Sequence, residues 1–80
     1  MNTAEAVKDR LSSICKDKGL AFNALANLSG VHPSTMKGIM NGASQNPGIV
    51  TIKKLCDGLD MSLAEFFNTP TFRCLEQEIQ

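Results

Sequence analysis

The residues of this chain that are suited to chemistry lie mostly between positions 32 and 54, and nearly all of them donate hydrogen bonds or carry positive charge. They are His32, Ser34, Thr35, Lys37, Asn41, Ser44, Gln45, Lys53 and Lys54. No acidic residue occurs between Lys18 and Cys56. Because carboxylates repel phosphate groups, a donor-rich segment without acids is suited to bind a polyanion such as nucleic acid. Chance clustering in a chain with few charges is the alternative explanation.

Other kinds of chemistry find little support. His32 has no cysteine or carboxylate at the spacing of a metal site, and its place before Pro33 suits a helix cap or a phosphate contact. Asp57 and Asp60 are typical of a solvated helix end rather than of a catalytic pair. Neither a glycine-rich phosphate loop nor a nucleophile–base pair occurs. We therefore expect no enzymatic activity, no cofactor, no metal ion and no small-molecule substrate.

The bulk properties fit one small domain. The chain has 80 residues, of which 42% are hydrophobic and three are cysteines. It shows no secretory leader and no apolar run near the roughly 20 residues that a membrane span needs, so we expect no membrane contact. An odd number of widely spaced cysteines does not suggest a disulfide framework, which favours a reducing cytoplasm.

The net charge of zero conceals an uneven distribution along the chain. Residues 1–54 hold seven Lys and Arg against three Asp and Glu, a net charge of +4. Residues 55–80 hold one Arg against five acids, a net charge of −4. Residues 1–54 are therefore the part of the chain that is better suited to bind an anionic partner.

The stretch 22–42 predicts two short helices joined by a tight turn. The inner faces carry Leu25, Ala26, Met36 and Ile39. Gly30 lies where the first helix must end, and the residue after a helix end commonly needs the left-handed conformation that glycine allows. Two helices held in this way present the outer face of the second one, which is the geometry that enters a DNA major groove.

The whole chain predicts an all-α fold of five short helices and a tail. The helices are expected at about 3–18, 22–29, 33–41, 48–58 and 63–68. The fourth is expected to bury Ile49, Ile52, Leu55, Cys56 and Leu59. Asn2 or Thr3 can cap the first helix, Ser62 and Glu65 form a capping box for the fifth, and Pro70 can begin a short extra helix.

The same stretch 22–42 resembles the helix-turn-helix of the lambda-repressor/Cro-like (XRE) family of DNA-binding domains. The matching residues are Leu25-Ala26, Gly30-Val31, Met36, Ile39 and Asn41-Gly42. The likeness continues through residues 46–67, which are similar to the proline turn and the fourth and fifth helices of that family, and it covers roughly residues 5–68. It implies a compact five-helix domain, double-stranded DNA as partner, and a transcriptional regulator of bacterial or phage type with its third helix in the major groove.

The resemblance also assigns roles to individual residues. The base-facing positions of the family are occupied here by Pro33, Ser34, Lys37 and Gly38. Apart from the resemblance, phosphate contacts are expected from backbone N–H groups at helix starts and from seven side chains, those of His32, Thr35, Asn41, Ser44, Gln45, Lys53 and Lys54. Lysine can donate to guanine O6 and N7, and serine can contact either kind of base edge. The alternatives are a solvated Lys37, a Ser34 that bonds locally, and a Gly38 that is a tolerated surface glycine rather than a point of close backbone approach.

The chain departs from the family at Phe22, where a glutamine often anchors a phosphate, and it has neither Arg nor Gln on the base-facing side. With so few cations, we expect a shallow salt dependence of DNA binding. The alternative function is a protein-interaction module on the same scaffold, such as an antitoxin-like or accessory regulator with weak DNA binding, in which Phe22 serves a protein partner.

A homodimer is expected, because two half-sites bind more tightly than one. We expect residues 1–68 to form the DNA-binding domain and residues 69–80 to form a tail. The tail carries an apolar stripe of Phe72, Leu75 and Ile79. This stripe either contacts a second copy of the chain or packs back onto its own domain.

Overall fold

The computed structural model describes residues 1–79 and contains six helices in that range. They are α1 (Thr3–Lys18), α2 (Phe22–Ser29), α3 (Pro33–Met40), α4 (Ile49–Gly58), α5 (Leu63–Phe67) and α6 (Pro70–Arg73). Each of the five predicted helices is present with both ends within one residue of the expected position, and α6 is the extra turn expected after Pro70. The described residues form no strand, so the predicted all-α class is confirmed.

Two helices begin with reciprocal caps that the sequence signals. The side chain of Asn2 accepts the N–H of Glu5 at 2.9 Å, and the Glu5 carboxylate accepts the N–H of Asn2 at 3.1 Å. Ser62 and Glu65 make the same pair of bonds at the start of α5, at 3.0 and 3.1 Å. Each box satisfies two N–H groups that would otherwise have no partner at a helix start.

Three helices end in the same way. A left-handed residue follows each helix end, with φ of 61° at Gly19 directly after α1, 66° at Gly30 directly after α2, and 56° at Asp60 two residues after α4. The following N–H then donates to the carbonyl five residues earlier, at 2.9 to 3.0 Å. Glycine adopts this conformation without strain, and Asp60 closes α4 in it despite its side chain.

The core is a single cluster to which α1 to α5 all contribute. Its most deeply buried large side chains are Phe66, Leu11, Leu25, Met36, Leu55, Val7 and Cys56. Helix α2 packs against both α3 and α4. The prediction that Ile49 lies in this core is wrong, since 59% of its surface is exposed. Ile49 is the first residue of α4, where the helix extends past the core and borders an open groove instead.

The cysteines act as packing groups or lie at the surface. Cys15 and Cys56 are buried and Cys74 is exposed, and none forms a disulfide. Burial raises the pKa of the Cys15 and Cys56 thiols, which keeps them neutral and suits them to fill small apolar spaces. None of the helices within residues 1–79 combines the length and hydropathy that crossing a membrane would require.

The tail returns to the domain that precedes it. The ring of Phe72 packs against those of Phe66 and Phe67, with centroids 6.1 and 4.9 Å apart. Leu75 is half-buried, whereas Ile79 is 84% exposed. Within the predicted apolar stripe, Phe72 therefore packs against the chain's own domain, Leu75 is partly covered, and Ile79 points to solvent.

Arg10 of α1 fixes the end of α5. Its Nε donates to the carbonyl of Phe66 at 2.8 Å and its Nη2 to that of Glu65 at 3.1 Å. We expect Arg10→Lys to lower the free energy of unfolding by about 1 kcal/mol, because an ammonium cannot reproduce two hydrogen bonds from one planar group. Urea unfolding of both proteins measures this difference. Equal midpoints would show that the forked geometry contributes nothing.

Candidate nucleic-acid interface

The turn between α2 and α3 is short and fixed by the backbone. Gly30 has a φ of 66°, and the N–H of Val31 donates to the carbonyl of Ala26 at 3.0 Å. Val31 and Ala26 are both buried. A Cβ at Gly30 would meet no atom within 4 Å, so this position requires glycine for its backbone conformation and not for lack of space. The turn thereby fixes how α3 is presented.

His32 caps α3 and accepts hydrogen bonds from the first N–H groups of that helix. Its Nδ1 accepts the N–H of Ser34 at 3.1 Å and lies 2.7 Å from the Ser34 hydroxyl. The N–H of Thr35 donates to the His32 carbonyl at 3.0 Å, and Pro33 has no N–H. Because Nδ1 acts as an acceptor, the neutral ring carries its proton on Nε2. The exposed imidazole therefore offers an N–H donor beside α3.

The two faces of α3 differ as the sequence predicts. Met36 and Ile39 are buried and Met40 is half-buried. On the other side of the helix are the exposed Pro33, Ser34, Thr35 and Lys37 and the half-buried Gly38. The structure thus brings the four predicted base-facing residues to one surface, next to His32.

The loop after α3 folds back onto that surface. The N–H of Ser44 donates to the carbonyl of Gly38 at 2.9 Å, and an ideal Cβ at Gly38 would lie 4.0 Å from the Cβ of Ser44. The Asn41 side chain accepts the N–H of Ala43 at 2.9 Å, and the Gln45 amide donates to the carbonyl of Gly42 at 2.6 Å. Three residues predicted to contact phosphates therefore also hold the loop in shape.

The lysines differ in how available they are. Lys53 forms an exposed ion pair with Asp57, one turn further along α4. Lys37 and Lys54 are exposed and make no ion pair within residues 1–79. An exposed i,i+4 pair is worth only about 0.3–0.5 kcal/mol, so a phosphate can compete for Lys53.

Apart from the four-residue α6, two helices begin with N–H groups that no side chain caps. The N-cap residues are Ala21 for α2 and Gly48 for α4, and neither side chain accepts a hydrogen bond there. The first N–H groups of a helix have no partner within the helix and favour anions. At α3, by contrast, His32 already uses these groups, so the expectation of backbone donors at helix starts applies to α2 and α4.

Sequence reasoning missed two contacts that bear on this region. The ideal Cβ of Gly58 would lie 2.1 Å from the Oγ of Ser29, so α4 and α2 approach more closely here than a side chain permits. Glu78 of the tail accepts a hydrogen bond from the Thr3 hydroxyl at 2.8 Å. Both contacts join residues far apart in the chain, and no local pattern signals either one.

Known proteins place this arrangement in a family. The model of the Cro/C1-type helix-turn-helix DNA-binding domain matches residues 10–71. A crystal structure of the prophage Lp1 protein 11 is 34% identical with a TM-score of 0.80, and the match covers 90% of this chain and 96% of that one. A crystal structure of an HTH_3 family transcriptional regulator from Vibrio cholerae is 31% identical with a TM-score of 0.75, over 85% of this chain and 38% of that one. No curated protein matches the chain. The chain belongs to the Cro/C1-type helix-turn-helix family of DNA-binding domains.

Proposed function

We propose that the chain is a sequence-specific transcriptional regulator that binds double-stranded DNA with α3 in the major groove. The observation that carries the proposal is the outer face of α3, where Lys37 and Ser34 are both exposed. Lys37 makes no ion pair within residues 1–79, and the segment between Lys18 and Cys56 contains no acid. The similar Vibrio cholerae protein is named as a transcriptional regulator, which supports the same role. We place this activity in the cytoplasm.

The base-facing residues of the proposal are Pro33, Ser34, Lys37 and Gly38. Lys37 offers an ammonium to guanine O6 and N7. Nδ1 of His32 lies 2.7 Å from the Ser34 hydroxyl, whose oxygen has two lone pairs and can accept a base amino group. Adenine N6 and cytosine N4 are such donors in the major groove. We therefore infer that Ser34 contacts a base edge and that Lys37 selects guanine.

The phosphate contacts of the proposal surround that face. Direct donors are the Nε2–H of His32, the hydroxyl of Thr35 and the ammonium of Lys54, with Lys53 available when it leaves Asp57. Asn41, Ser44 and Gln45 hold the loop that follows α3, and they contact phosphates with the groups that the loop leaves free. The uncapped starts of α2 and α4 offer further backbone donors.

The organisation of the chain is part of the proposal. Residues 1–68 form the DNA-binding domain and residues 69–80 the tail, and two copies bind two half-sites as a homodimer. Phe72 packs on its own domain and Leu75 is half-buried, which leaves Ile79 as the only fully exposed member of the apolar stripe among the described residues. Light scattering of the full chain and of a truncation at Thr69 tests whether the tail takes part in the dimer.

Fluorescence anisotropy with a labelled mixed-sequence DNA duplex, titrated at several salt concentrations, tests the proposal. We expect Lys37→Gln and Lys54→Gln each to weaken binding about three- to fivefold, and Lys54→Gln to reduce the slope of log K against log salt by about one unit, because each neutralised phosphate contributes about 0.9. Arg73→Gln is the matched control. It removes one charge from α6, which packs on α1, and should leave affinity within twofold.

The outcomes of this titration distinguish DNA binding through the face of α3 from the alternatives. A parent slope near −8 would require about nine phosphate contacts and contradict the small basic surface described above. Equal losses in all three variants would show that bulk charge, and not the face of α3, governs binding. No binding by the parent at low salt would favour the protein-interaction module, for which the 39% exposed Phe22 at the start of α2 is the first candidate contact.

A further inference from the structure

The acidic end of the chain is held against the start of α1. Residues 75–79 form no helix, and the side chain of Glu78 accepts hydrogen bonds from the hydroxyl of Thr3 at 2.8 Å and from its N–H at 3.5 Å. Glu76 lies 3.2 Å from the α-amino nitrogen of Met1. Glu78 meets no cation within residues 1–79, so its negative charge is not neutralised by an ion pair.

Glu78 also lies beside the loop that follows α3. It lines a groove of about 450 Å³ together with Gln45, Asn46 and Pro47 of that loop. The same loop reaches the outer face of α3 through the bond from the N–H of Ser44 to the carbonyl of Gly38. The Glu78 carboxylate therefore borders the segment between Lys18 and Cys56, which has no acidic residue of its own.

We propose that this acidic tail is an autoinhibitory element that lowers the affinity of the chain for DNA. The inference rests on the proposed function and concerns the same surface. Because Gln45 and Glu78 line the same groove, a phosphate that approaches Gln45 also approaches the Glu78 carboxylate. Like charges repel over about the Debye length, which is about 8 Å at physiological ionic strength. Displacing the tail removes this repulsion, so anything that draws it off α1 strengthens DNA binding.

The double substitution Glu76→Gln and Glu78→Gln tests the proposal in the full chain. It keeps the shape of both side chains and removes two negative charges. The matched control is Asp17→Asn with Asp60→Asn, which changes the net charge equally. Asp17 and Asp60 share a groove at the opposite end of α1, about 21 Å from Thr3 along the helix. Thermal unfolding by circular dichroism confirms that each variant is folded.

We expect the tail variant to bind the mixed-sequence duplex about three- to fivefold more tightly than the parent at low salt, and the control to stay within twofold. The gain should disappear at about 1 M salt, where the Debye length is about 3 Å. A tail variant that binds no better than the parent, or an equal gain in the control, overturns autoinhibition and leaves DNA binding intact. Absence of binding by every protein, the parent included, overturns the proposed function and this inference together.

Discussion

Replacing Gly58 with alanine is expected to lower the free energy of unfolding by about 2 kcal/mol, because the new methyl group overpacks a close helix contact. In a domain of this size the change should lower the melting temperature by roughly 10 °C. Gly58 is the last residue of α4, and its ideal Cβ would lie 2.1 Å from the Oγ of Ser29 and 3.2 Å from its Cβ. Helix propensity alone would predict the opposite sign, since alanine exceeds glycine by about 1 kcal/mol.

The cost is large because the obstacle is not only a mobile side chain. The Oγ of Ser29 can rotate away, but its Cβ, which would lie 3.2 Å from the new methyl group, moves only with the backbone of α2. Relieving the contact therefore moves α2 relative to α4, and α2 carries the turn that presents α3. We expect a loss of DNA affinity at temperatures where the folded fraction is still complete.

A second substitution separates this mechanism from a general defect in α4. Ser29 Oγ is buried without a hydrogen-bond partner in the described residues, so Ser29→Ala should by itself be nearly neutral. Combined with Gly58→Ala it removes the nearest obstacle and should restore about half of the lost stability. Thermal unfolding of the four proteins completes the cycle. If the effects of the two substitutions on the free energy of unfolding are simply additive, contact with Ser29 is not the cause of the destabilisation.

The helix ends show how much of the fold local sequence determines. Gly19 and Gly30 end helices because a left-handed residue is needed within one turn, and the Ser62 capping box acts over three residues. Both kinds of signal are complete within a short window of sequence. The αL residue at Asp60 lacks the expected glycine, yet the helix still ends at the predicted place.

The burial of a side chain and the close contact of two helices depend on the residues that pack opposite, and the local sequence does not specify those residues. Ile49 has the spacing of a core residue, but it borders an open groove and its side chain is exposed. In the sequence Gly58 is an ordinary glycine near a helix end, and only the folded structure shows that Ser29 leaves no room for a side chain there. The same limit applies to the candidate site. The outer face of α3 follows from its period, whereas the engagement of Ser34 with His32 and the nearness of Glu78 to the loop follow only from the folded arrangement.

Gly38→Ala is expected to act in opposite directions on stability and on DNA binding. The structure supports the first effect directly: Gly38 lies inside α3, and the added methyl would meet only the Cβ of Ser44 at an ordinary 4.0 Å. Alanine should therefore raise the free energy of unfolding by about 0.5–1 kcal/mol. Under the proposed docking, however, the methyl lies on the face that enters the groove. We expect about a tenfold loss of affinity, which corresponds to about 1.4 kcal/mol.

The opposite signs make this substitution decisive between the two accounts of Gly38. Urea unfolding measures the first effect and anisotropy with the same duplex measures the second. Ser13→Ala, at an exposed position in the middle of α1, is the matched control, because it also improves helix propensity but lies off the proposed interface. It should raise stability by a few tenths of a kcal/mol and leave affinity unchanged. If Gly38→Ala is more stable and binds as tightly as the parent, the backbone of α3 does not approach DNA at this point, and Gly38 is a tolerated surface glycine.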